Sequence, residues 1–115
     1  MTNGEMLYQK FRSSSQERVR LELALQGFFL EETEESCRQA FAQYLQRRIR
    51  PAAQALIQAD ALPQLQKLEA CGWLDANVVE DCLTAAIRLK KTQAFIWLLG
   101  LKAEKYDFSD RKFDL

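Results

Sequence analysis

Glycine and proline are scarce in this chain of 115 residues, which has four glycines and two prolines. The stretches between them consist mainly of Ala, Leu, Gln, Glu, Arg and Lys, which lose little conformational entropy in a helix. The sequence therefore predicts an all-α fold, with five to six short helices arranged in antiparallel pairs. The length is typical of one compact domain, so we expect a single domain over residues 1–115.

We expect an N-terminal lead over residues 1–14, followed by a first helix near 15–26. Ser14 and Glu17 have the spacing of a capping box, and Gly27 lies where a left-handed C-terminal cap would fall. Within the first helix, apolar and polar residues also alternate, which is typical of a half-buried strand. We favour the helix, because no other segment offers this strand a partner.

A second helix is expected at about 34–50, with glutamates at its start and arginines at its end, as the helix dipole favours. Pro51 then requires a boundary or a kink. The apolar residues of this helix recur every three or four positions and predict one buried stripe, formed by Cys37, Phe41, Tyr44, Leu45 and Ile49.

Four further helices are expected in the second half of the chain. Asp60 is expected to cap the second of them, with Pro63 in its first turn and Gly72 after its end, and Asp75 is expected to cap the third. The last helix is expected from about Thr92 to Ala103, before an irregular tail over 104–115. The positions expected to face the interior are Ala52, Ala53, Leu56, Ile57, Leu62, Leu65, Leu68, Val79, Leu83, Ala86, Ile87 and Leu98.

A repeat is visible when the chain is shifted by 30 residues, which superposes Ala55 on Ala85, Ile57 on Ile87, Leu65 on Phe95 and Leu68 on Leu98. The segment 83–99 resembles the helical core of an ankyrin repeat, with its Ala-Ala pair, short polar turn and Leu-Leu pair. Residues 52–103 also resemble uncharacterised bacterial proteins that end in such helical pairs. The opening Thr-Pro-Leu-His of the ankyrin family is absent, and Lys90-Lys91 replaces the Gly-His of its inter-helix turn. The resemblance implies an ankyrin-like stack of two hairpins over 51–103 that binds through its surface.

The chain has no histidine, which excludes catalytic triads and most zinc-ligand sets. We predict no catalytic residue, no metal site and no cofactor, and we interpret the acidic cluster 31–35 as a solvated turn. The three cysteines, Cys37, Cys71 and Cys82, cannot all pair within one chain and are expected to be small buried side chains with reduced thiols. This cysteine usage, with no visible export signal, predicts a cytoplasmic protein.

Membranes and nucleic acids are not favoured as partners. Lys and Arg balance Asp and Glu, so the formal net charge is zero, and no stretch approaches 18 uninterrupted apolar residues. The densest basic run contains Arg47, Arg48 and Arg50, and the helix dipole explains its position at a helix end. These arginines nevertheless carry the alternative hypothesis of a nucleic-acid-associated regulator.

The last helix is apolar around more than half of its circumference, which is unusual for a helix covered on one side. Either the tail covers it with Phe108 and Phe113, or it meets a partner protein or a second copy. The candidate interface residues are Ile96, Trp97, Leu101 and Trp73, with Trp97 as the anchor. We predict a non-enzymatic protein–protein interaction module, and an accessory subunit of an enzyme is a further alternative.

Overall fold

The computed structural model describes residues 2–105, which form seven α-helices and contain no strand. The helices are α1 (Asn3–Ser13), α2 (Glu17–Phe29), α3 (Glu35–Arg47), α4 (Ile49–Gln58), α5 (Leu62–Ala70), α6 (Ala76–Arg88) and α7 (Thr92–Lys105). The all-α prediction is confirmed, and the helix count exceeds the predicted five to six. The chain divides into two compact units, Met1–Arg48 and a second unit that begins at Ile49; the single domain stays a prediction.

Helix α1 occupies most of the segment predicted to be a lead before the first helix. Thr2 caps it, because its Oγ1 accepts a hydrogen bond from the backbone N–H of Glu5 at 3.1 Å. Thr2 and Glu5 have the spacing of a capping box, so the signal was present in the sequence. The predicted capping box at Ser14 and Glu17 is wrong, because Ser14 is the C-cap of α1 and α2 begins after Gln16.

Helix α2 packs against both α1 and α3, so apolar side chains are needed on two of its sides. This arrangement explains why its sequence resembles the alternation of a strand although its backbone is helical. Gly27 does not end the helix as predicted. It lies within α2, and a Cβ at this position would be 2.1 Å from Cε2 of Phe41, so glycine allows the close approach of the Phe41 ring.

The turn between α2 and α3 is held by Arg38 of α3. Its guanidinium donates hydrogen bonds to four backbone carbonyls, those of Phe28 (2.6 Å), Leu30 (3.0 Å), Glu31 (3.1 Å) and Thr33 (3.0 Å). The hydroxyl of Thr33 donates to the carbonyl of Gly27 at 2.7 Å in the same turn. The last carbonyls of α2 and those of the acidic turn therefore have a charged donor, as helix ends require.

The core of the first unit is aromatic. The ring of Phe11 lies edge-on to Phe41 and Tyr44, with centroids 5.4 and 4.9 Å away. The predicted stripe of α3 is confirmed at Cys37, Phe41, Tyr44 and Leu45, which are all buried.

Helix α3 ends at Arg47, three residues before the predicted end, and α4 begins at Ile49. Pro51 explains this boundary, because a proline has no N–H for the carbonyl of the residue four positions earlier, which is Arg47, and its ring clashes with that carbonyl. Ile49 therefore belongs to the first turn of α4 instead of the α3 stripe.

Three turns of the second unit share one backbone geometry, in which a residue with positive φ follows the helix. These residues are Asp60 after α4, Gly72 after α5 and Lys90 after α6, with φ values of 58°, 81° and 60°. In each turn the next residue donates to a carbonyl five positions back, as in Ala61 to Leu56, Trp73 to Leu68 and Lys91 to Ala86. This is the Schellman motif. Gly72 ends its helix as predicted, whereas Asp60 ends α4 instead of capping α5.

The core of the second unit contains most of the predicted inward positions. Its fully buried large side chains include Ile57, Leu65, Leu68, Val79, Cys82 and Leu98. Asp75 caps α6 as predicted, accepting from the N–H of Val78 at 2.8 Å. Two predictions of burial are wrong: Ile87 is 63% exposed, and Cys71 is exposed at the end of α5.

Helix α7 extends to Lys105, so Glu104 and Lys105 are helical instead of belonging to an irregular tail. The rest of that predicted tail, including Phe108 and Phe113, lies outside the described residues.

Candidate functional site

Helices α6 and α7 expose large apolar side chains. Ile87 and Ile96 are each 63% exposed, and Leu99 is 49% exposed. Helix α7 buries Ala94, Leu98 and Leu101 on its other side, so its apolar residues surround most of the helix. Monomeric proteins rarely expose large contiguous apolar patches. Where such patches occur, they often mark binding surfaces.

The predicted interface residues fall into three groups. Ile96 is exposed, as the sequence predicted for a surface residue. Trp97 and Trp73 are half-buried, so each offers only part of its side chain to a partner. Leu101 is 7% exposed and belongs to the core, because it lies on the same side of α7 as Leu98. Leu101 is therefore not part of the exposed apolar surface of α7.

Ile87 and Leu99 were not among the predicted surface residues. The 30-residue repeat aligns Ile87 with the buried Ile57, so hydrophobicity alone predicted burial for both. The difference is that α4 packs against a following hairpin, whereas α6 belongs to the last hairpin among residues 2–105. Burial at this position therefore depends on whether another hairpin follows the repeat, and the hydrophobicity of the residue does not show this.

A groove of about 250 Å³ lies between the turn after α4 and the turn after α6. Its floor contains Ile57 and Leu65, and its rim contains Asp60 and Lys91. The Nζ of Lys91 lies 2.9 Å from Oδ2 of Asp60, so the two rim charges neutralise each other. The groove therefore offers a ligand no unpaired charge from this rim pair.

Two of the three arginines in the predicted basic run form ion pairs. Arg48 binds the carboxylate of Glu17 and stacks on the Tyr44 ring at 4.2 Å, and Arg50 binds Asp81. Arg47 is exposed, and we find no ion pair for it in the described part of the chain. Among the described residues, Arg47 is thus the one arginine of the basic run without an ion pair. A single arginine is a weak binding site for phosphate.

Tyr44 and Glu17 form a hydrogen-bonded pair of titratable groups, and both have shifted pKa values. The hydroxyl of Tyr44 donates to Oε1 of Glu17 at 2.7 Å. Burial, followed by the bond to Glu17, raises the pKa of Tyr44 to about 12, and the bond from Tyr44 lowers the pKa of Glu17. General acid–base catalysts need pKa values near the working pH. Both groups are shifted away from neutrality, so the pair is suited to packing and not to proton transfer.

The buried thiol of Cys82 also has a shifted pKa, which burial and the nearby Asp81 raise to about 11. A thiol with such a pKa is a poor nucleophile near neutral pH. Over residues 2–105, no cluster of three or more Cys, Asp or Glu side chains is arranged to hold a metal ion. Within the same range, no helix has the length and apolar character needed to cross a membrane.

Comparisons of this chain with protein-family models, with curated proteins and with solved structures find no match.

Proposed function

We propose that this chain is a non-enzymatic protein–protein interaction module whose binding surface lies on α6 and α7. The observation that carries the proposal is the exposure of Ile87, Ile96 and Leu99 on one helical hairpin. Burying such side chains against a partner stabilises a complex by roughly 25 cal/mol for each Å² of apolar surface removed from water. Trp97, half-buried beside Ile96, supplies an aromatic side chain of the kind that contributes strongly to binding.

The ankyrin-like character of the second unit is part of the same proposal. Its support is that the Schellman turns at Asp60 and Lys90 are separated by the same 30 residues as the sequence repeat. Two hairpins, α4–α5 and α6–α7, thus share a turn geometry at equivalent positions. The odd cysteine count supports a cytoplasmic location, and the resemblance to bacterial proteins supports a bacterial source.

Site-specific photo-cross-linking in the native host tests this function. A photoreactive amino acid replaces Ile96 in one variant and Val19 of α2, an exposed apolar residue of the first unit, in the control. We expect a discrete cross-linked species, identified by mass spectrometry, with the probe at 96 and none with the probe at 19. Equal or absent cross-linking at the two positions would contradict an interaction surface on α7.

A further inference from the structure

The first hairpin of the second unit, α4–α5, has an apolar face that contains Ile57 and Leu65. Ile57 is 2% exposed and Leu65 is fully buried, and α4 packs against α6. At the edge of this face, Glu69 of α5 forms an ion pair with Lys105 of α7. The face is therefore covered by the hairpin that follows it.

The 30-residue repeat identifies the same face on the second hairpin. The positions equivalent to Ile57, Leu65 and Glu69 are Ile87, Phe95 and Leu99, and we call these three residues the terminal face. Ile87 and Leu99 are exposed, and Phe95 is half-buried. A groove of about 280 Å³ runs beside Ile87 and Phe95. The substitution of Leu99 for the charged Glu69 makes this open face more apolar than its covered counterpart.

The charges at the ends of the two faces are opposite in sign. On the first hairpin, Arg50 pairs with Asp81 and Asp60 pairs with Lys91. The positions equivalent to Arg50 and Asp60 are Glu80 and Lys90. A further hairpin with the charges of α6–α7 would place an aspartate beside Glu80 and a lysine beside Lys90. Like charges in contact would therefore disfavour a further hairpin of this kind on the terminal face.

A two-fold axis through the terminal face would instead bring opposite charges together. Glu80 and Lys90 lie on either side of the apolar residues, near the start of α6 and in the turn after it. In an isologous contact, each end of the face meets the other end of the second copy. Glu80 of one subunit then faces Lys90 of the other, and this pairing occurs twice. Glu80 also bonds Lys102 of its own α7 at 2.6 Å, and its side chain is 54% exposed, which leaves it accessible for a second donor.

We propose that the chain forms a two-fold symmetric dimer through the terminal face. Ile87, Phe95 and Leu99 of the two copies pack together, and Glu80 of each copy pairs with Lys90 of the other. This inference rests on the proposed function and names its partner, which is a second copy of this chain. Each copy contributes only three apolar side chains, so we expect an interface below about 1,200 Å², the size class of weak or transient complexes.

Sedimentation equilibrium of the full chain over a range of concentrations tests the dimer. The variants are Ile87→Asp, Glu80→Lys, Lys90→Glu and the double charge swap of Glu80→Lys with Lys90→Glu. We expect a monomer–dimer equilibrium for the wild type and a dissociation constant raised about tenfold or more by each single change. The double swap restores opposite charges across the axis but leaves a lysine at position 80 beside Lys102, so its dissociation constant should fall at least about threefold below that of either single charge variant. Val19→Asp is the matched control and should leave the equilibrium unchanged, and circular dichroism checks that every variant keeps its helices.

A wild-type monomer at all concentrations would overturn the dimer. A dimer that survives the single variants would show that another surface mediates it. A dimer lost in both single variants and not recovered in the double swap would overturn the Glu80–Lys90 pairing. The cross-linking experiment at position 96 separates these failures from that of the proposed function, because an adduct with a different protein can persist when the dimer is absent.

Discussion

Two glycines inside helices have opposite roles that only the packing reveals. A Cβ on Gly27 would lie 2.1 Å from the ring of the fully buried Phe41, whereas a Cβ on Gly100 would meet no atom within 4 Å. In the sequence Gly27 lies between Gln26 and Phe28 and Gly100 lies between Leu99 and Leu101, and neither pair of neighbours shows which glycine is in close contact with the core. The sequence predicts a helix end at Gly27, and the structure shows a close contact with Phe41 instead.

Alanine substitutions at these two positions should change stability in opposite directions. Gly27→Ala should lower the free energy of unfolding by about 1–3 kcal/mol, because the Phe41 ring cannot move without disturbing the core. Gly100→Ala should raise it by about 0.5–1 kcal/mol, because alanine restricts the unfolded chain and fits the exposed helix. Urea denaturation of each variant measures both changes, and equal effects would contradict the packing at Gly27.

The bond between Tyr44 and Glu17 predicts how stability depends on pH. The pKa of Tyr44 rises from its ordinary value of 10.0 to about 12, so its contribution is complete below pH 10 and is lost as the pH rises toward 12. The pKa of Glu17 is lowered from 4.5, so its contribution is present above that value and is lost as the pH falls through the lowered value. Tyr44→Phe should therefore flatten the pH dependence of stability at both extremes. Denaturation curves across the pH range test this, and parallel profiles for the two proteins would contradict the bond.

At the level of helices and turns, the Schellman motifs predict which residue types the turns prefer. Gly72 adopts a positive φ without a steric cost, whereas Lys90 adopts one with a Cβ present. Lys90→Gly should stabilise the protein by up to about 1 kcal/mol, and Gly72→Ala should destabilise it by about 1 kcal/mol or more. Thermal unfolding of the two variants, at a concentration where the chain is monomeric, measures these shifts. A destabilised Lys90→Gly variant would show that the lysine side chain contributes more than the backbone geometry.

Helix positions were predicted well where a local signal decided them, and poorly where a neighbouring element did. Asp75, Pro63 and Gly72 act within one turn of themselves, and their predicted roles are confirmed. Asp60 has the chemistry of an N-cap, but the requirement of α4 for a left-handed residue at its end determined its position. Helix α1 was missed although Thr2 and Glu5 carried the cap signal.

At the level of the whole molecule, the three thiols report on different parts of the structure. Cys71 is exposed, whereas Cys37 is buried in the first unit and Cys82 in the second. We expect one thiol to react rapidly with a disulfide reagent in the folded protein, and the other two to react only as their units open. The Cys71→Ser variant should lose the rapid phase. Two rapid thiols in the wild type would contradict the burial of Cys37 or Cys82.

The fold class was predictable from composition, because few breakers and many helix formers leave little alternative to helices. The candidate surface was predictable in part. The excess of apolar residues on α7 indicated a surface at Ile96, but the exposure of Ile87 depends on which hairpin comes last among the described residues. Burial at that position depends on the neighbouring repeat, so equivalent residues of two repeats can differ in their exposure.

The clamp formed by Arg38 on the α2–α3 turn has a consequence for evolution. Its guanidinium binds main-chain carbonyl oxygens, which every amino acid possesses. These bonds therefore do not require a particular side chain at those positions. Homologues could therefore vary at the exposed position 31 while preserving the same loop path, as long as the arginine persists, whereas Phe28 also packs against Phe29. A search for distant relatives should accordingly give Arg38 more weight than the glutamates that precede it in the sequence.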